Sequence, residues 1–216
     1  MTMADGKSID YASLLCSRLC HDLLSPVGAL NNGLELLAEE SDPGIRDQCM
    51  ALLGDSARIS LAKLTFYRLA FGAAGGKEDL VSADEVKAAV EGMFAASGRL
   101  AVEWMIADAA LPRAAAKVLL NFSLIAGEAL PRGGTLMLAL ERVGDATDIA
   151  ARGEGLRLAL DANIRRALTG KLPAEEISSR TVAATMVRSM VLEAGGEVMI
   201  AGEDQPFLMF GAHIPG

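Results

Sequence analysis

The chain has 216 residues, a formal net charge of −8, 51% apolar residues and only 4% aromatics. This length supports one large domain or two small ones around a real core, and the apolar fraction argues against disorder. The acidic balance argues against nucleic acid or an anionic membrane as partner, and no apolar run approaches the roughly 20 residues of a membrane span.

The start, Met1-Thr2-Met3-Ala4-Asp5-Gly6-Lys7, carries no apolar signal region. Three cysteines, an odd number, suit a reducing compartment better than a disulfide framework. A cytoplasmic protein is expected. From Ile9 to Glu40 a stripe of Ser13, Cys16, Cys20, Leu23, Val27, Leu30, Leu34 and Leu37 alternates steps of three and four, the seam of a bundle helix. Ser41-Asp42-Pro43-Gly44 reads as a tight turn that starts a second helix. The second seam is Ile45, Cys49, Leu52, Ser56, Ile59, Lys63, Phe66 and Ala70. Two amphipathic helices joined this way form an antiparallel hairpin, which cannot enclose a core alone. Dimerisation into a four-helix bundle is the economical solution.

Residues 1–71 are therefore read as the hairpin and 72–79, small and Gly-rich, as a linker. Residues 80–216 change to a mixed pattern. Ser82-Ala83-Asp84-Glu85 resembles a capping box opening a helix to Ala96. Leu100–Ile106 alternates as a strand, and Arg113–Leu130 is an Ala/Leu-rich helix. Thr135–Val143 and Thr147–Arg152 pair across Gly144-Asp145. Helices are expected over Leu156–Leu168 and Ser179–Ala194, then a closing hairpin of Glu197–Ala201 and Phe207–Ile214. The class is α+β: a helical hairpin followed by a two-layer α/β sandwich.

The chemistry concentrates at Cys20-His21-Asp22-Leu23-Leu24-Ser25-Pro26. His21 lies about 100° of helical rotation from Cys20, off the seam and on an exposed flank. A neutral imidazole nitrogen is a nucleophile near neutral pH, and the adjacent Asp22 carboxylate can orient the ring or take its proton. Pro26 removes a backbone hydrogen bond and can bend the helix near the ring. Each residue also has a plainer reading: a solvated histidine, a solvent-facing Asp22, and a Ser25 that only satisfies backbone at a bend. Arg18 reads first as a solvated side chain. Cys16 and Cys20 face the seam while His21 points elsewhere, so core packing is preferred to a metal site. His213 and Asn121 are read as structural.

His21-Asp22-Leu23-Leu24-Ser25-Pro26 resembles the phospho-acceptor box of dimeric sensor histidine kinases. Leu119-Leu120-Asn121-Phe122-Ser123-Leu124-Ile125-Ala126 resembles the helix carrying the kinase asparagine box, and Arg152-Gly153-Glu154-Gly155-Leu156 the first Gly-rich box. The departures are at the nucleotide. Aliphatic Ile125 stands where the magnesium-binding asparagine belongs, with Asn121 a turn early. Ala151 or Arg152 replaces the adenine-reading aspartate, and Ser178-Ser179-Arg180-Thr181-Val182-Ala183 replaces the Gly-x-Gly phosphate lid. That implies a degenerate kinase-like ATP-binding domain.

The stretch from Leu15 to Leu30, followed by Asn31-Asn32-Gly33-Leu34-Glu35-Leu36-Leu37, is similar to the alphaproteobacterial ChpT-type histidine phosphotransferases. The resemblance covers nearly the whole chain. It implies a homodimer that takes a phosphoryl group on His21 from the receiver domain of a hybrid histidine kinase. The group then passes to response regulators that govern the cell cycle. No cofactor of its own is implied, Mg²⁺ coming with the receiver. Nε2 of His21 would attack while Nδ1–H is held, with Asp22 orienting the ring and Ser25, one turn on, contacting the phosphoryl group or the receiver. Arg18 would offset phosphate charge, and Leu24 and Gly28 would flank the docking surface. The alternatives are a diverged ATP-dependent kinase and a non-catalytic dimeric adaptor. Phosphatase action on a receiver is compatible with the relay.

Overall fold

The computed structural model describes residues 4–72, 79–201 and 205–216, with side chains from Tyr11 onward. The expected linker therefore lies, from residue 73 to 78, outside the described residues. Helix α1 spans Ala4–Glu39 and continues through Pro26, and α2 spans Pro43–Phe71. The turn between them works as its residues require. The Asp42 carboxylate accepts from the amides of Gly44 and Ile45 at 2.8 and 3.0 Å, and Pro43 occupies the first turn where no donor is needed.

The rest alternates β1 Leu80–Ser82, α3 Ala83–Ala95, β2 Leu100–Met105, β3 Ala110–Pro112, α4 Arg113–Glu128, β4 Gly134–Val143, β5 Ala146–Glu154, α5 Ala162–Leu168, α6 Val182–Glu193, β6 Glu197–Ile200 and β7 Leu208–Ile214. Five strands form one sheet in the order β2-β4-β5-β7-β6, parallel between β2 and β4 and antiparallel elsewhere. Gly144 turns β4 into β5 with φ +63°, a conformation open to glycine. Helices α3, α4 and α6 cover one face, and α+β is the observed class. The core runs through Leu119, Phe122 and Leu124 of α4 to Leu136, Leu138 and Phe210 of the sheet, with Phe122 and Phe210 stacked at 5.6 Å. Each such fully buried side chain contributes roughly 1.5–3 kcal/mol.

Three expectations change. Ser82 opens α3 but makes no side-chain cap, because residues 80–82 are a short strand paired with β3, and neither strand was foreseen. Helix α5 begins only at Ala162, where Asp161 caps the Asn163 amide; Leu156, expected inside it, is 95% exposed. Helix α6 starts at Val182 because residues 178–181 fold into a turn, the Ser178 amide donating to the Thr181 hydroxyl at 2.9 Å.

The end of α2 is built into this core: Phe66, Tyr67, Leu69 and Ala70 are buried with α4. Its last carbonyls face protein rather than water, and α4 supplies the donors. Lys117 Nζ bonds the Gly72 carbonyl, and Asn121 Nδ2 bonds the Ala70 carbonyl at 3.3 Å. Burial, with Arg113 nearby, lowers the Lys117 pKa. The hairpin is thereby anchored to the sheet domain at a fixed point. Lys117→Met keeps most of the stem but orphans the Gly72 carbonyl. It should cost about 1–3 kcal/mol in urea unfolding, the range for an unsatisfied buried acceptor.

Candidate functional site

His21 sits in the middle of α1 with its side chain 87% exposed, on the flank its sequence position predicts. Its Nδ1 lies 2.9 Å from Asp22 Oδ1. The second oxygen of Asp22 accepts a hydrogen bond from the Tyr67 hydroxyl of α2. Burial alone would raise the Asp22 carboxyl, but the Tyr67 hydroxyl, the His21 ring, Arg18 and Lys63 together hold it below the ordinary carboxylate value. Burial and the neighbouring carboxylate push the Tyr67 phenol far up, so it remains a donor. The ring of Tyr67 is wedged by Phe66, edge-on at 5.8 Å, and Phe71, stacked at 5.5 Å.

Pro26 has a consequence beyond bending. In an unbroken helix the Asp22 carbonyl would accept from the amide four residues on, and residue 26 has no amide proton. Lys63 Nζ fills the place, donating to the Asp22 carbonyl at 2.7 Å. Lys63 is the one charged residue of its seam, and this bond gives its ammonium a partner there. Asp22 is thus held at three atoms: one oxygen by the histidine, one by tyrosine, and its main chain by lysine.

Arg18 corrects the sequence reading. It is buried, not solvated. Its Nη2 pairs with Glu128 at the end of α4, Nη1 lies 3.5 Å from the carbonyls of Ser179 and Arg180, and Nε is 3.8 Å from Asp22 Oδ2. Burial raises the Glu128 carboxyl while Arg18 pulls it down. Arg18 therefore links the histidine helix to the sheet domain. Around this link is a cavity of about 350 Å³ between His21 and Asp22 on one side and Ile125, Glu128, Leu160 and Arg180 on the other.

Of the nucleotide positions flagged by sequence, Ile125, Ser179 and Arg180 line this cavity, whereas Asn121, Ala151 and Arg152 do not. Ile125 is part of its wall. Asn121 is fully buried and spends its amide on the Ala70 and Lys117 carbonyls, a structural role as read. Ala151 is buried in β5, whereas Arg152 pairs with Glu154 and lies over the Phe207 ring at 4.3 Å. His213 pairs with Asp148 across β5 and β7 at 2.7 Å. Ser25 is exposed one turn from His21, Leu24 is 70% exposed, and a Cβ added to Gly28 would meet nothing within 4 Å.

The seams are only half covered. Cys49, Ser56, Phe66 and Ala70 of α2 are buried, but Cys16 and Cys20 are exposed in the single chain, against the expectation of a buried face. Val27, Leu34, Leu36, Leu52, Leu61 and Leu64 also stand in solvent. One helix covers only one side of another, so α2 leaves the remaining apolar side of α1 bare. Tyr67, Lys63, Glu128 and Arg180 were missed from sequence. Only Lys63 carried a signal, a charge at an apolar seam position.

The comparisons follow this geometry. Residues 83–206 match the family described as the histidine phosphotransferase C-terminal domain. The protein phosphotransferase ChpT of Brucella abortus (strain 2308) is 38% identical over 197 residues, covering 89% of this chain and 90% of the relative. The solved structure of a bacterial phosphotransferase superposes with a TM-score of 0.81 at 34% identity, covering 94% of this chain and 96% of that one. Among the described residues no helix is long and apolar enough to cross a membrane. The chain belongs to the ChpT-type histidine phosphotransferase family and is a phosphotransferase.

Proposed function

We propose that His21 is the phospho-accepting residue of a multistep phosphorelay, charged by the receiver-domain aspartate of a hybrid histidine kinase and discharged to response regulators. The observation that supports it is the His21–Asp22 pair: one ring nitrogen engaged at 2.9 Å and the ring otherwise 87% exposed. With its proton on Nδ1 and shared with Asp22, the neutral ring presents a lone pair at Nε2. That lone pair forms the N–P bond while the P–O bond to the receiver's aspartate breaks, the electrons leaving with the carboxylate. The ring becomes a phosphoimidazolium, and the Asp22 carboxylate balances its charge through the Nδ1 proton.

Such a loose, charge-rich transfer is catalysed mainly by alignment and charge stabilisation. The reading assigns Mg²⁺ to the receiver's own acidic pocket and no cofactor to this chain. Ser25 stands where the phosphoryl group or the receiver passes, and Leu24 and the open side of Gly28 form the docking flank. Arg18 acts from behind Asp22 rather than on the receiver. The uncovered apolar side of the hairpin supports a homodimer closed as a four-helix bundle. Ile125 in place of a polar metal ligand supports a chain that does not charge itself from ATP. The setting is cytoplasmic, and the regulators served are those of the cell cycle.

Label should reach the protein from a phosphorylated cognate receiver, not from [γ-³²P]ATP, and should be acid-labile and absent in His21→Ala. Label from ATP alone would mean a working kinase, and no label from a cognate receiver would favour the adaptor reading. Asp22→Asn should slow transfer by about 100-fold, in the range for a lost preorganised electrostatic partner. Gly28→Leu has room within the chain, so its melting temperature should hold while receiver affinity falls about tenfold. A carboxylate whose folded pKa lies below its ordinary value contributes stability above that ordinary value and loses it as pH falls through the folded pKa. The melting difference between wild type and Asp22→Asn should therefore be constant around neutrality and shrink below about pH 4.

A further inference from the structure

The proposed transfer requires His21 to keep Nε2 unprotonated and outward. On an exposed helix a lone carboxylate side chain has rotamer freedom and water to compete with, and the imidazole has two tautomers of similar energy. Asp22 is not alone. Its Oδ2 is taken by the Tyr67 hydroxyl and its carbonyl, left without a helical donor by Pro26, is taken by Lys63 Nζ at 2.7 Å. Tyr67 and Lys63 are four residues apart on α2, so they approach the same turn of α1 from one helix face. Both are held by the core: Tyr67 is buried between Phe66 and Phe71, and the end of α2 is tied to α4 through Gly72 and Ala70.

We propose that Tyr67 and Lys63 are positioning residues for phosphoryl transfer, fixing the carboxylate and carbonyl of Asp22 so that Oδ1 stays on His21 Nδ1 and Nε2 is left as the nucleophile. Neither meets the phosphoryl group; each acts through Asp22. The pair also explains why the seam tolerates a lysine and why a tyrosine rather than a phenylalanine follows Phe66. A phenylalanine would fill the same space and leave Oδ2 to water and to Arg18, whose Nε is 3.8 Å away, beyond hydrogen-bond length.

This inference rests on the relay reading, and its test keeps the two separable. The ¹⁵N spectrum of His21 in the unphosphorylated protein, without any receiver, should show the Nδ1–H tautomer dominant in wild type. Tyr67→Phe and Lys63→Met should each move the ratio toward Nε2–H. In single-turnover transfer from a saturating phosphorylated receiver, the rate constant should fall about tenfold in each variant, with the half-saturating concentration unchanged. In an Asp22→Asn background Tyr67→Phe should add nothing further, since both act on one hydrogen-bonded unit. An unchanged tautomer ratio in both variants would overturn the proposal, as would additivity with Asp22→Asn or an effect confined to half-saturation. If wild type shows the Nδ1–H tautomer but takes no label from cognate receivers, the relay reading fails while the positioning of the ring stands.

Discussion

Asp22 is the point on which the rest of the molecule converges. A carboxylate next to a surface histidine is ordinarily a weak partner, because water competes for both and salt screens what remains. Here its two oxygens face different worlds: one meets an exposed ring, the other a buried phenol. The buried half lends its order to the exposed half. On the proposed reading, this gives the reacting ring access on the surface and alignment from the interior.

The same residue explains how two parts of unlike architecture meet. The helical hairpin carries the histidine, but the groups that order Asp22 depend on the sheet domain. Arg18 reaches Glu128 and the carbonyls before α6, and Tyr67 belongs to the core that α4 completes. A buried arginine joins the histidine helix to the last turn of α4, and separating the two surfaces would strand its charge.

Much of this was legible beforehand. The hairpin, its turn and the position of His21 follow from periodicity and from Asp42-Pro43, since local rules fix both. The large strands followed for the same reason. The losses have one cause, which is that long-range contacts decide them. Strand β1 is three residues long and exists only because β3 pairs with it. Leu156 continues a helical pattern, yet the helix waits for the Asp161 cap. Arg18 resembles any surface arginine until Glu128, 110 residues on, is placed beside it. Tyr67 gave no signal because a buried aromatic on a helix is ordinarily core, and its hydroxyl partner lies on another helix.

The exposed ring, Leu24, Ser25 and the open side of Gly28 lie on one continuous strip of α1, and Arg180 and Leu160 rise across the cavity from it. On the proposed relay reading, a receiver that reaches Nε2 would touch apolar surface along the helix and a cation across the gap. Apolar contact without deep burial gives release as readily as capture. The proposed relay needs this balance, because in it the same surface must let go of the donor before an acceptor arrives. Rigidity falls on the ring: Asp22 is fastened at three atoms, whereas Leu24, Ser25 and the open side of Gly28, the proposed docking strip, stand free on the helix surface.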